Sequence, residues 1–253
     1  MSRSLVLWIA AAVLAVAGGT FAYLFWFAGG SGEPSTELTT PELAATTSTS
    51  LASSTTGDGS QPTTTGSTET ESASLTFIID PAQSTARFEL DEVLNGSPKH
   101  VVGTTDQVVG QVRVNEADLS SAEFSDVVVN ARTFTTDSER RDRAIRGPVI
   151  LDSASDAFEL ITFSVTSVDG LEGSVQTGGT VDFTITGDLT VKGTTVEVTF
   201  DASVTFVDRG TIEGTATAEI TRDMFGIGIP SVPSVADVTN EVLIGIDFVA
   251  LAG

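Results

Sequence analysis

The chain has 253 residues, a formal net charge of −22 and no cysteine. An acidic surface repels nucleic-acid phosphates, so nucleic acid is not an expected partner. Without thiols there is neither a disulfide framework nor thiol redox chemistry, and the folded part must rest on an ordinary apolar core.

Residues 5–28 (LVLWIAAAVLAVAGGTFAYLFWFA) carry no charge over 24 positions. At about 1.5 Å rise per residue a helix of that length spans roughly 36 Å, enough to cross a bilayer with some tilt. Trp8, Tyr23 and Trp26 lie near its ends, where amphipathic rings favour the membrane interface. Ala15-Val16-Ala17 offers a competing cleavage site, but the apolar run continues through Phe27, longer than a normal signal-peptide core. An uncleaved anchor over residues 1–28 is therefore expected. Arg3 precedes the span, and Glu33, Glu37 and Glu42 follow it. The positive-inside bias then predicts a single-pass cell-membrane protein whose C-terminal domain is extracytoplasmic.

Residues 29–74 are dominated by Ser, Thr, Gly and Pro with scattered Glu. Such a segment buries too little to repay its ordering entropy. It is predicted to be a disordered linker that holds the next domain roughly 35–40 Å from the membrane.

Residues 75–253 change character. Short runs alternate apolar with polar residues, among them ARFELDEV, VVGQVRVN, LITFSVTSV, TVDFTITGDLTV, TTVEVTFDASVTFV and NEVLIGIDFVAL. Period-two runs rich in Val, Ile, Thr and Phe predict half-buried antiparallel strands. Lys192-Gly193 and Asp208-Arg209-Gly210 are the expected tight turns. Many short strands with short links predict an all-β domain, either a closed up-and-down barrel or a sandwich.

One helix interrupts this pattern, at residues 136–147 (TDSERRDRAIRG), with Arg140, Arg141, Arg143 and Arg146 on it. Thr136 and Glu139 are spaced for a capping box. Glu139 with Arg143, and Asp142 with Arg146, are spaced for i,i+4 pairs. Gly147 and Pro148 stop the helix. Only Ala144 and Ile145 are apolar, which predicts a surface helix lying across a barrel end.

Catalytic signals are weak. The single His100 falls in a predicted loop (NGSPKHVVGTT) without a partner histidine, which argues against a zinc or iron site. No G-x-S-x-G or D-x-D-x-D-G pattern occurs. Asp91, Glu92, Asp137, Asp142 and Asp223 read as solvated carboxylates of an acidic chain. An enzyme is not expected.

Several segments together resemble the YceI-like family of exported, lipocalin-like barrels associated with polyisoprenoid lipids. They are FIIDPAQSTARFEL, the stretch from Gly103 to Gly110 leading into VRV, ERRDRAIR, ITFSVTSV, GDLTVKGTTVEVTF, TRDMFGIGIP and VLIGIDFVAL. The chain departs from the family pattern at Gln83-Ser84, where relatives often carry His-Ser, and at 89–92, an acidic run where they carry a further His. The resemblance covers nearly all of 75–253 and none of the anchor or linker. It implies an antiparallel up-and-down lipocalin-like β-barrel of about eight strands around a long apolar tunnel, with one short helix.

A barrel of about eight strands has room for its own side chains or for one slender ligand. Alternation puts Ile161, Phe163 and Val165 on one face, and likewise Val181, Phe183 and Ile185, then Val198 and Phe200. The candidate ligand-lining residues are Phe88, Phe134, Phe163, Phe183, Ile185, Phe200, Phe225 and Ile229; simple core filling is the bland alternative for each. Arg140, Arg143 and Arg146 are the candidate entrance residues. DMFGIGIPSVPSV, too irregular for a strand, either plugs the barrel beneath the helix or flanks the entrance. The expected activity is binding of an apolar lipid such as a polyisoprenoid or quinone, with no cofactor or metal firmly implied and a homodimer compatible. The alternative is a structural or protein-interaction barrel displayed on a stalk without cargo.

Overall fold

The computed structural model describes residues 30–43, 74–230 and 232–253. The expected membrane span at 5–28 lies outside the described residues. Among those described, no helix is long and apolar enough to cross a membrane.

The period-two runs form strands. β1 (Leu75–Ile79) and β2 (Thr85–Leu94) are separated by the turn Pro81–Gln83. β3 (Ser97–Thr105), β4 (Val108–Val109) and β5 (Gln111–Val114) follow one another down the next wall, and β6 (Glu123–Phe124) with β7 (Val127–Asn130) runs back up. After helix α1 (Glu139–Arg146) come β8 (Leu160–Asp169), β9 (Thr180–Val191), β10 (Thr194–Asp208), β11 (Thr211–Thr221), β12 (Val235–Ala236) and β13 (Glu241–Ala252).

These strands make one antiparallel sheet in the order β4-β7-β8-β9-β10-β11-β13-β1-β5-β6, curled into a half-barrel with one helix, a lipocalin-like arrangement. β13 pairs with β11 on one side. On the other it pairs with β2 over Leu243–Asp247 and with β1 over Ala250–Ala252. β4 and β5, near opposite ends of the order, are joined through Gly110, whose carbonyl accepts a 3.0 Å hydrogen bond from the Ile79 N–H.

Alternating strand direction sorts the connections into two ends. At the α1 end lie the Asn95-Gly96 turn, residues 131–159, the Lys192-Gly193 turn and residues 222–240. At the opposite end lie residues 115–122, 170–179 and the Arg209-Gly210 turn. Each end has its own core cluster. Phe163, Leu189, Val191, Ile220 and Phe225 pack toward α1, and Phe77, Leu119, Val204, Phe206 and Ile212 pack at the other end.

Three expectations are corrected. His100 is not in a loop: it lies within β3, because Asn95 (φ 51°) and Gly96 (φ 81°) make a two-residue hairpin turn of the kind that matches strand twist. The helix begins later than its sequence box suggests. Ser138 is the N-cap, its hydroxyl accepting from the Arg141 N–H, while Thr136 instead donates its N–H (2.8 Å) and hydroxyl (2.6 Å) to the Asp142 carboxylate. Glu139 meets Arg143 at 3.8 Å as the spacing predicts. Asp142 and Arg146, however, are both buried, so α1 is embedded rather than a thin-edged surface helix.

The third correction concerns the linker. Residues 30–43 do not trail away as free coil but pack along the outside of the domain, with Ser35 and Thr36 hydrogen-bonded to Glu159 and Pro41 to Gln111. Residues 44–73 lie outside the described residues.

Candidate functional site

The inward side chains leave a cavity of about 1120 Å³ running between the two core clusters. That slightly exceeds the roughly 300–1,000 Å³ typical of small-molecule sites. Its shaft is apolar. Ala202 and Ala216, paired across β10 and β11, both line it and leave its middle wide. Phe163 and Phe200 meet edge to face at 4.9 Å, as do Phe88 and Phe134 at 5.3 Å, so rigid rings shape the wall near α1.

All eight candidate lining residues border this cavity: Phe88, Phe134, Phe163 and Phe183, then Ile185, Phe200, Phe225 and Ile229. Val198 faces inward too but is buried in the α1-end core cluster rather than on the cavity. The irregular DMFGIGIPSVPSV segment divides its roles. Phe225 and Ile227 sink into the core and reach the cavity from it, while the less buried Ile229, Pro230, Val232 and Pro233 border the cavity farther along. Arg222 holds this segment in place, donating to the carbonyls of Thr239 (2.8 Å), Ile227 (3.1 Å) and Val238 (3.1 Å).

Gly103 sets the position of Phe88. A Cβ there would come within 2.2 Å of the Phe88 ring, so the ring can lie flat over β3 only if residue 103 has no side chain. Gly103→Ala is expected to displace Phe88 and cost about 1–3 kcal/mol, as overpacking does. Urea unfolding of the domain measures this, and an unchanged midpoint would contradict the packing described.

Polar groups collect at the α1 end of the shaft. Arg140 and Arg143 line it, together with Asp137, Ser138, Glu139 and Arg141 from the same stretch. Arg146 does not. Its Nε donates to the Gly30 carbonyl (3.1 Å) and its Nη1 to the Phe134 carbonyl (3.4 Å), which turns it toward the outer surface. Burial lowers the Arg146 pKa.

Glu92, expected to be a solvated carboxylate, is instead 7% exposed, lines the cavity and accepts from Arg141 Nη2 at 2.7 Å. Arg141 also pairs with Asp137, which receives Lys99 at 2.6 Å. Burial works to lower the Arg141 pKa, but the Glu92 and Asp137 carboxylates outweigh it and the net shift is upward. Hydrogen bonds from Lys99 and Arg141 lower Asp137. The collar is thus a chain of paired charges around an apolar bore, suited to meeting a polar head while a tail lies inside. Sequence spacing had no means of pairing Glu92 on β2 with Arg141 on α1.

His100 stands outside this cavity on the exposed face of β3, its Nδ1 2.8 Å from Asp91 and its Nε2 3.2 Å from Glu89. Hydrogen bonds to those two carboxylates raise its pKa. Among the described residues no cluster of His, Asp and Glu could hold a metal ion.

A sequence model of the YceI-like domain matches residues 77–250. The chain belongs to the YceI-like family. Its YceI-like domain is similar to UPF0312 proteins of Staphylococcus aureus, at 26% identity over 157 residues, covering 60% of this chain and 81% of the relative. Among solved structures it is similar to a polyisoprenoid binding domain from Saccharophagus degradans implicated in plant cell wall breakdown, with a TM-score of 0.54 and 12% identity over 71% of this chain and 99% of that one. It is also similar to BcnA of Burkholderia cenocepacia, with a TM-score of 0.52 and 21% identity over 68% of this chain and 98% of that one. At these identities the likeness is one of fold.

Proposed function

We propose that this chain is a membrane-tethered, extracytoplasmic carrier that holds a polyisoprenoid or similar apolar lipid lengthwise inside a closed up-and-down barrel. Continuity of the chain supports closure: β4 pairs with β7 and β5 with β1, and only Gly110 separates them. Successive neighbours then run right round, with β1–β2 and β3–β5 each acting as a single long strand. The anchor at residues 5–28 places the protein in the cell membrane as a single-pass protein, and the quinones are a second class of cargo that fits the same shape.

The observation that carries this reading is the cavity of about 1120 Å³, a mostly apolar shaft whose charged lining residues, Arg87 apart, gather at one end. A structural barrel without cargo would be filled by its own side chains. An apolar chain gains about 0.8 kcal/mol per buried CH₂, so ten carbons supply several kcal/mol without any specific contact. The polyisoprenoid binding domain from Saccharophagus degradans, similar in fold, agrees with that choice of ligand.

The two Trp residues of the chain, Trp8 and Trp26, both lie in the anchor segment, so Phe183→Trp makes a sole reporter on the shaft wall of a chain of residues 30–253. Titrating it with a long-tailed quinone is expected to quench its fluorescence saturably at one equivalent. Quenching that stays linear in quinone, as collision in solution gives, would overturn the proposal.

A further inference from the structure

We infer that residues 30–43 are a latch that seats the α1 end of the cavity directly against the bilayer, an inference that rests on residues 5–28 being the membrane anchor proposed above. The segment is held at three levels down the outer wall. At the α1 end the Gly30 carbonyl accepts from Arg146 Nε at 3.1 Å. Gly32 (φ +86°) lies so close over the same guanidinium that a Cβ would come within 2.8 Å of Nη1, a position only glycine fills without strain. Lower down, Ser35 and Thr36 converge on Glu159. Their N–H groups donate at 2.9 and 3.2 Å, the Thr36 hydroxyl at 3.1 Å, and the Ser35 hydroxyl reaches both Glu159 and, at 3.1 Å, Asp156. Lowest, Gln111 Nε2 donates to the Pro41 carbonyl at 2.6 Å.

The direction of this track decides the geometry. The chain meets the domain beside the C-terminal end of α1 and descends from there. From residue 28 to residue 30 an extended chain reaches only about 7 Å, whereas a free linker would hold the domain roughly 35–40 Å away. The end brought to the bilayer is the one where Arg140 and Arg143 line the cavity and Ile229 and Pro230 border it. Val149 (38% exposed) and Met224 (42%) are apolar side chains at that same end of the barrel, while Val207 (41%) and Leu251 (40%) are comparably exposed at the other. Cargo leaving the membrane would enter the shaft without crossing water.

The test uses the full chain in phosphatidylcholine vesicles. Because the chain has no cysteine, single substitutions Val149→Cys, Met224→Cys and, at the far end, Arg209→Cys can each carry a bimane label, read against nitroxide-labelled lipid. Seating predicts loss of fluorescence at 149 and 224 and none at 209. In the Ser35→Ala/Thr36→Ala chain, and separately in Gly32→Val, the difference between the two ends is expected to disappear. Equal quenching at both ends of the native chain, or a difference that survives in both unlatched variants, would overturn the latch while leaving the anchor standing. A chain that fails to float with the vesicles would overturn the anchor reading and the seating with it.

Discussion

Replacing Ala216 with Trp is expected to weaken binding of a prenyl lipid or quinone by about 100-fold while the domain stays folded. Ala216 faces Ala202 across the β10–β11 ladder, and both line the middle of the shaft. An indole there fills void rather than displacing packed atoms, so the overpacking cost is avoided. It also divides the shaft and cuts off the far half. Excluding three or four methylenes at about 0.8 kcal/mol each removes about 3 kcal/mol, which is about 100-fold in Kd. Isothermal titration with a quinone of defined tail length measures the loss, and the melting temperature checks the fold. Unaltered affinity in a folded A216W domain would place the cargo elsewhere.

The second large effect is expected at Glu159, whose side chain is fully buried. Burial alone would raise its pKa. Hydrogen bonds from Ser35, Asn130 and Thr36 reverse that and bring it from 4.5 to about 2. Asn130 Nδ2 donates at 2.7 Å, and Arg132 Nη1 lies 3.4 Å away with its side chain only 8% exposed.

Removing the carboxylate in Glu159→Ala leaves the Arg132 charge and the Asn130 amide buried with fewer partners. Breaking a buried pair in this way costs about 3–5 kcal/mol, readable by urea unfolding. A cost below that of an ordinary surface substitution would contradict the burial described.

The same group predicts an acid limit. Because its folded pKa lies below its ordinary value, its contribution is fully present above pH 4.5 and is lost as pH falls from there through about 2. The amount is about 3 kcal/mol by linkage. In Glu159→Gln that part of the acid sensitivity should vanish. An identical pH profile for the two proteins would contradict the assignment.

Much of the fold is legible in the sequence because strands with one buried face must alternate. Phe163, Phe183, Ile185 and Phe200 reach the cavity wall by period two alone. What is not legible falls into two kinds. Some signals are present but easily passed over: Asn95-Gly96 is a strong hairpin turn, yet within NGSPKHVVGTT it reads as part of a loop, and β3 goes unseen. Others are tertiary and have no local trace. Glu92 looks like one acid among many until α1 lays Arg141 beside it, and Arg146 looks like a helix-surface charge until Gly30 and Phe134 offer their carbonyls. The Ser/Thr-rich composition of residues 30–43 predicts solvation correctly in isolation. It cannot reveal that a buried glutamate on the domain supplies the acceptors that two of those hydroxyls and two backbone N–H groups need.

Occupancy of the shaft by an apolar lipid is read most directly by mass spectrometry of an organic extract from the YceI-like domain purified without detergent. One class of long-chain prenyl lipid or quinone is expected at near one equivalent per chain, and is expected to be absent from the A216W domain prepared in parallel. An extract free of apolar molecules, from a native domain that also takes up none when offered, would contradict that occupancy.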